Sequence, residues 1–379
     1  MTYRILMLSS IALAAPWNGA DKNLARLLVQ SDSNNQFIVQ TGIDEAWPSH
    51  VGAVRLRGTS PIPTNREKLR GFSYLLRHTR DVDLVHVVAS LSNPSPWTAR
   101  LVHDWLAACR KPLVHTIPSI GDIPIKHQNF AGDITVVVSE HTRQLLTSHG
   151  VPNVVRIFPP LDERHLHPST SATELAQRLA LGPRAVLYPA HYGPQSGISE
   201  IIRAFAQLPA TLHDAVLVLA CRTQPGQDSA REAQHAMAFA AMAGIAHRVR
   251  VIDNVSDMPA LIMACMVMAL VPGKLASKMD LPLVVLEALV LERPVIISDK
   301  PPMSEALFGG GFAVRHGDVP ALTAALAQLL LDSNLRAKLA AQGRAAVLQQ
   351  CHPVRVVDRY KQIYQSAFEG RRELARKLL

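Results

Sequence analysis

Short apolar runs alternate with amphipathic stretches along most of this chain, and that alternation restricts the fold more than any other feature. In the first half, "RILML", "QFIVQ", "DLVHVV", "PLVHTI" and "ITVVVS" read as strands. Between them lie "NLARLLVQ", "TARLVHDWLAAC" and "EHTRQLLTSHG", whose apolar residues recur at helical spacing. Strands that are apolar on both faces, separated by helices, specify a parallel sheet covered on both sides. The stretch "FPPLDERHLHPSTSA", from Phe158, breaks the pattern with three prolines and no period, and reads as a linker. Beyond it the alternation resumes through "RAVLYPA", "SEIIRAFAQL", "AVLVLA", "AREAQHAMAFAAMA", "VRVID", "MVMALV", "PLVVLEALV" and "PVIIS". Ser199 is expected to cap the helix that carries Ile201, Ile202, Phe205 and Leu208 on one face.

A chain of 379 residues exceeds one ordinary core and fits two domains. The expected division is 1–165, 166–355 and a last helix, 356–379, crossing back to the first domain. Both domains are expected to be doubly wound α/β units. Ligands in such sheets bind beyond the carboxyl ends of the strands, so the expected site is a cleft between two facing domains. The N-terminal "MTYRILMLSSIALAAPW" has the look of a signal peptide, but a buried first strand over Tyr3–Leu8 fits the alternation better. The uncharged run "MPALIMACMVMALVPG" falls short of the roughly 20 residues that a membrane span needs.

Composition narrows the function classes. With 48% hydrophobic and 18% charged residues the chain is globular rather than disordered. A net charge of +9 favours anionic partners, such as phosphorylated ligands or an anionic bilayer. No nucleic-acid motif accompanies the charge. The four cysteines lie at no metal-ligand spacing and read as free thiols in a reducing compartment.

The order and spacing of several motifs resemble the GT-B glycosyltransferases of the retaining family 4 type. "PAHYGPQSGISEIIRAFAQLP" resembles that family's Gly-Arg-Leu…Lys-Gly turn and helix, and "RVRVIDNVSDMPALIMACMVMALVPG" its strand, helix and strand near the nucleotide. "LPLVVLEALVLERPVIISD" resembles the nucleotide-sugar helix, and "PPMSEAL…GGGFAVRHGDVPALTAALAQLLLD" the segment after that helix. "RILMLSS…NGADKNLARLL" and "VVVSEHTRQLLTSHGV" carry the likeness into the first half. The resemblance implies a GT-B fold and transfer of a sugar from a nucleotide-sugar donor to a glycan, glycolipid or small-molecule acceptor, with retention. It implies no metal and no cofactor beyond the donor, which is a co-substrate, and a cytoplasmic protein. The alternative is a non-catalytic GT-B protein that binds a sugar nucleotide or a partner subunit.

Carried over residue by residue, the resemblance makes Glu287 the carboxylate that accepts from both ribose hydroxyls. Leu283 and Val284 open its helix, whose N–H groups suit a diphosphate. The family's other glutamate falls at Met279, with Asp280 beside it as a substitute acceptor. Its diphosphate-binding Arg and Lys fall at His191 and Ser196, followed by Gly197. Arg222, Lys274 and Lys278 are the cations that stand near enough in sequence to compensate. Candidate catalytic positions are His115, Ser119 and His191. Gly19, Ala20 and Lys22 in the first loop, with Ser139 and Glu140 at a later strand end, are candidates for acceptor or phosphate contact. Helix capping is the other reading of Ser139. The basic amphipathic "NREKLRGFSYLLRHTR", from Asn65, suits an anionic bilayer or an ordinary helix surface.

Overall fold

The computed structural model describes residues 2–9, 13, 20–56, 64–89, 96–121, 132–161, 166–193, 195–222, 228–253, 255–275 and 279–370. In chain order the main elements begin with β1 (Arg4–Ser9), α1 (Ala20–Ser31), β2 (Gln36–Thr41), β3 (Val51–Arg55), α2 (Asn65–His78), β4 (Leu84–Val88) and α3 (Pro96–Ala108). They continue with β5 (Leu113–Ile117), β6 (Ile134–Val137), α4 (Glu140–Ser148), β7 (Val154–Arg156), α5 (Ala172–Arg178), β8 (Ala185–His191), α6 (Ile198–Ala206) and β9 (Val216–Arg222). Next come α7 (Ser229–Met242), β10 (Val249–Ile252), α8 (Met258–Ala264), β11 (Val267–Leu270), α9 (Leu283–Val290), β12 (Val295–Ser298) and β13 (Gly311–Val314). Three helices end the described chain: α10 (Val319–Leu331), α11 (Ser333–Cys351) and α12 (Pro353–Phe368).

The chain forms two compact units. One holds Met1–Leu161, Ser277–Asp280 and Gln350–Leu379, and the other Asp162–Ala276 and Leu281–Gln349. The first unit has a seven-stranded sheet in the order β3-β2-β1-β4-β5-β6-β7. The second has a six-stranded sheet in the order β10-β9-β8-β11-β12-β13. The strand pairs are parallel in both. Each is therefore a doubly wound α/β unit, as the alternation of runs requires. The direction of winding reverses between β1 and β4 in the first sheet and between β8 and β11 in the second.

Three strands escape the sequence pattern. β3 is an edge strand with a single buried side chain, Val51, β7 has only three residues, and β13 opens on a glycine. None carries the apolar run that marks the others. The residue expected to cap α6 is also corrected. Gly197 is the cap, in a left-handed conformation, and the Ser199 hydroxyl instead reaches Glu200 Oε2 at 2.9 Å.

The terminal helix α12 belongs to the first unit, where it packs through a buried polar chain. His86 on β4 is hydrogen-bonded by Nδ1 to the Tyr364 hydroxyl at 2.9 Å and by Nε2 to Thr116 Oγ1 at 2.7 Å. Thr116 in turn meets the Tyr360 hydroxyl at 3.1 Å. Complete burial lowers the His86 pKa to about 3, so the ring is neutral and needs both partners. Tyr364→Phe leaves one buried imidazole nitrogen unmatched, and we expect a loss of about 1–3 kcal/mol. Urea unfolding checks this, and an unchanged midpoint would remove the polar chain as a stabilising element.

Candidate functional site

The carboxyl-terminal edge of the strands in the second sheet is organised by one tyrosine. Tyr188, fully buried on β8, donates from its hydroxyl to Ser196 O at 2.9 Å and accepts from Val271 N at 3.3 Å. It thereby ties the turn before α6 to the end of β11, across the point where winding reverses. Burial holds the phenol well above its usual pKa range, so it stays a neutral donor. A Cβ on Gly197 would come within 2.1 Å of that hydroxyl and 2.8 Å of Val271 O. With φ at +81°, position 197 is open to glycine alone. Gly273 N donates to Gln195 O at 2.8 Å, and His316 Nδ1 meets Val271 O at 2.9 Å, which closes the weave. Sequence reasoning missed Tyr188, Gln195, Gly273 and His316, since nothing marks a tyrosine inside an apolar run as a cross-tie.

Around this weave stand several expected site residues. His191 ends β8, half-buried, in register with Arg222, which ends β9 exposed. Ser196 is part of the turn: its Oγ accepts from Ile198 N at 3.4 Å, and its carbonyl is held by Tyr188. Lys274 is exposed beyond β11, and Lys278 lies outside the described residues.

The α9 helix starts after Pro282 and has no side-chain cap. Leu283 and Val284 in its first turn are half-buried, while Val285, Leu286, Ala288, Leu289 and Val290 are buried. Glu287 is thus a carboxylate on a helix that is otherwise packed on its apolar side chains. Burial raises its pKa to about 7, and Arg222 pulls the other way without cancelling it. The Glu287 side chain is half-buried and, among the described residues, forms no ion pair, so a shifted carboxyl here is a candidate for a hydrogen-bond donor on a ligand.

The first unit holds the remaining candidates. Met279 is 2% exposed, and so is Asp280. The Asp280 carboxylate accepts from Ser139 Oγ at 2.7 Å and Thr142 Oγ1 at 2.5 Å, while its N–H donates to Pro118 O at 3.0 Å. Burial raises its pKa, and hydrogen bonds from Thr142, Ser139 and Ser119 offset part of the rise. Ser139 is also the N-cap of α4, accepting from Thr142 N at 3.1 Å, so one hydroxyl serves both the helix and Asp280. Glu140 is gripped by Arg143, which holds its carboxyl below the usual range. His115 lies inside β5, within reach of Ala89 O at 3.2 Å, and burial lowers its pKa to about 4. Ser119 Oγ accepts from Gly121 N at 3.2 Å. Lys22 is 4% exposed on α1, and burial lowers its pKa. Ala20 opens α1, and Gly19 lies outside the described residues. Among the described residues no cluster of three or more His, Cys, Asp or Glu side chains is arranged to hold a metal ion.

Residues 172–346 match the family model described as glycosyl transferases group 1. That span contains the Tyr188 weave and Glu287. A search of curated proteins gave no match. Solved structures match along nearly the whole chain. HepE of Anabaena in complex with UDP and glucose shares 16% identity, with 96% of this chain and 100% of that one covered, at a TM-score of 0.73. Sucrose-phosphate synthase of Thermosynechococcus elongatus shares 18% identity over 98% and 100%, at a TM-score of 0.76. A glycosyltransferase of Rickettsia africae shares 14% identity over 97% and 98%, at a TM-score of 0.74. The fold is GT-B.

The raised pKa of Glu287 has a measurable consequence in the ligand-free protein. Its folded value, about 7, exceeds the ordinary 4.5. Stability from this group is therefore full below the ordinary value and is lost as pH rises through 7. Glu287→Gln should match wild type near pH 4 and exceed it above pH 7, by on the order of 1–3 kcal/mol. Urea unfolding across this range checks the sign, and parallel profiles would remove the buried carboxylate.

Proposed function

We propose that this protein is a retaining glycosyltransferase of the family 4 type, transferring a sugar from a nucleoside-diphosphate sugar. The observation that carries the reading is Glu287: a desolvated carboxylate on an uncapped helix, inside the segment that matches the glycosyl transferases group 1 model. A carboxylate accepts from two vicinal hydroxyls at once, which suits a ribose diol. The first-turn N–H groups of α9 favour negative charge, which suits the diphosphate. HepE, a structural neighbour, binds UDP and UDP-glucose, and a uridine nucleotide is the first donor to test here.

In this reading Glu287 holds the ribose and Leu283 and Val284 present backbone donors to the diphosphate. Arg222 and Lys274 supply the positive charge that the leaving diphosphate requires, and His191 a hydrogen-bond donor. Transfer runs without metal or cofactor, the departing diphosphate taking up the proton of the acceptor hydroxyl. The acceptor is a glycan, a glycolipid or a small molecule.

A second reading, a sugar-nucleotide-binding protein without transferase activity, draws on one observation. Ser196 stands where the resemblance calls for a lysine, and its hydroxyl and carbonyl are both used inside the turn. It brings no charge to a leaving group. Calorimetry with UDP and UDP-glucose, paired with assays of diphosphate release against an acceptor panel, separates the two readings. We expect Glu287→Gln to weaken UDP and UDP-glucose equally, by about 1–3 kcal/mol at pH 8. Wild-type affinity should also climb as pH rises through 7, while the variant stays flat. Unchanged affinity would remove Glu287 as the ribose ligand. Binding with no turnover on any acceptor would favour the second reading.

The exposed face of α2 suits contact with a membrane surface. Helix α2 is held by a capping box between Thr64 and Glu67 and exposes Arg66, Leu69, Arg70, Phe72 and Arg77. Leu69 is 67% exposed, an unusual cost for a leucine beside three arginines unless lipid covers it. No helix among the described residues is long and apolar enough to cross a membrane. We expect sedimentation with phosphatidylglycerol vesicles that is released at high salt and weakened by Leu69→Glu. Equal behaviour with phosphatidylcholine vesicles would leave a water-soluble acceptor.

A further inference from the structure

The second unit has a cavity of about 530 Å³ on the amino-terminal side of its sheet. Pro183, Met266 and Pro294 line it just before β8, β11 and β12, whereas the Tyr188 weave lies past the opposite strand ends. The end of α8 and the first half of α11 form its other walls. Met263, Met266, Ala337 and Ala340 give those walls an apolar character.

Two guanidinium groups also line the cavity, Arg293 and Arg336. Arg293 donates to Leu291 O at 3.3 Å, Glu292 O at 3.1 Å and Met263 O at 3.0 Å, and its buried Nε–H has no partner. Arg336 donates to Leu329 O at 2.8 Å through one nitrogen. Among the described residues neither forms an ion pair with a carboxylate. The nearest acid on the lining, Glu292, is turned to Arg344 at 3.7 Å. Burial lowers the Arg293 pKa, Cys265 and Glu292 offset only part of that cost, and an oxyanion nearby would offset more.

We propose that this cavity is a second ligand site, separate from the donor site, for an organic anion: an oxyanion head on an apolar body. The head would take the unused donors of Arg336, in the positive field of Arg293, whose own Nε–H is closed off from the cavity. The body would lie against Met263, Met266 and the alanines of α11. The volume falls within the range of small-molecule pockets, about 300–1,000 Å³. The site stands independently of the transferase reading, because none of its residues belongs to the proposed donor machinery.

Phenyl phosphate tests the proposal, with inorganic phosphate and benzyl alcohol as the separate halves of the chemistry. We expect saturable binding of phenyl phosphate by calorimetry, weaker binding of phosphate, and none of benzyl alcohol. Arg336→Gln should weaken phenyl phosphate about tenfold or more. Ala337→Leu, which fills the cavity and keeps both charges, should weaken it also. Neither variant should change UDP affinity, which reports the other end of the sheet. Absence of saturable binding, binding that survives both substitutions, or phenyl phosphate displaced by UDP would each overturn the proposal. Arg293 is left unaltered, since its three carbonyl contacts also hold the chain together.

Discussion

The Tyr188 hydroxyl is the contact on which the carboxyl-terminal edge of the second sheet depends. It joins Ser196 O to Val271 N across the switch point, and it leaves no space for a side chain at position 197. The glycine there takes a left-handed conformation, and α6 starts from it without a side-chain cap. The helix then buries Ile201, Ile202, Ala204 and Phe205 in the core shared with Leu217, Leu219, Leu326 and Leu329. A buried phenol needs both of its hydrogen bonds, so the turn and the end of β11 are fixed together.

The parallel sheets were legible because burial on both faces writes itself as continuous apolar runs. What the runs cannot encode is contact between distant turns. Ser199 has the chemistry of a cap, yet Gly197 is the cap, because the close approach of Tyr188 and Val271 decides the backbone there. The same limit applies to β13, where a Cβ on Gly311 would come within 1.8 Å of Val295 O. That strand exists through backbone proximity to β12, and a pattern of side chains does not reveal it. Glu287 was visible for the opposite reason: a carboxylate within an apolar helix is conspicuous at once.

Asp280 illustrates how a site residue and a structural one are told apart. By type and position it is a ready substitute for the glutamate replaced by Met279. Its carboxylate, however, is taken by two hydroxyls at the start of α4, and its N–H by Pro118 O. A carboxylate bonded this fully gains little from a further donor, and withdrawing it would orphan Ser139 and Thr142. The spacing along the chain gives no sign of these bonds, since 138 and 141 residues separate the partners.

The charge at Glu287 follows from what surrounds it. A permanent cation close to a buried carboxylate lowers its pKa, and where none is close, desolvation prevails. At the two positions where the family resemblance calls for Arg and Lys, this chain has a half-buried histidine and a serine bound into its own turn. Arg222 supplies the opposing charge, but it stands exposed at a strand end, where water and salt weaken its field. The carboxyl therefore changes protonation near neutrality instead of remaining ionised. That makes the charge at this end of the sheet depend on pH.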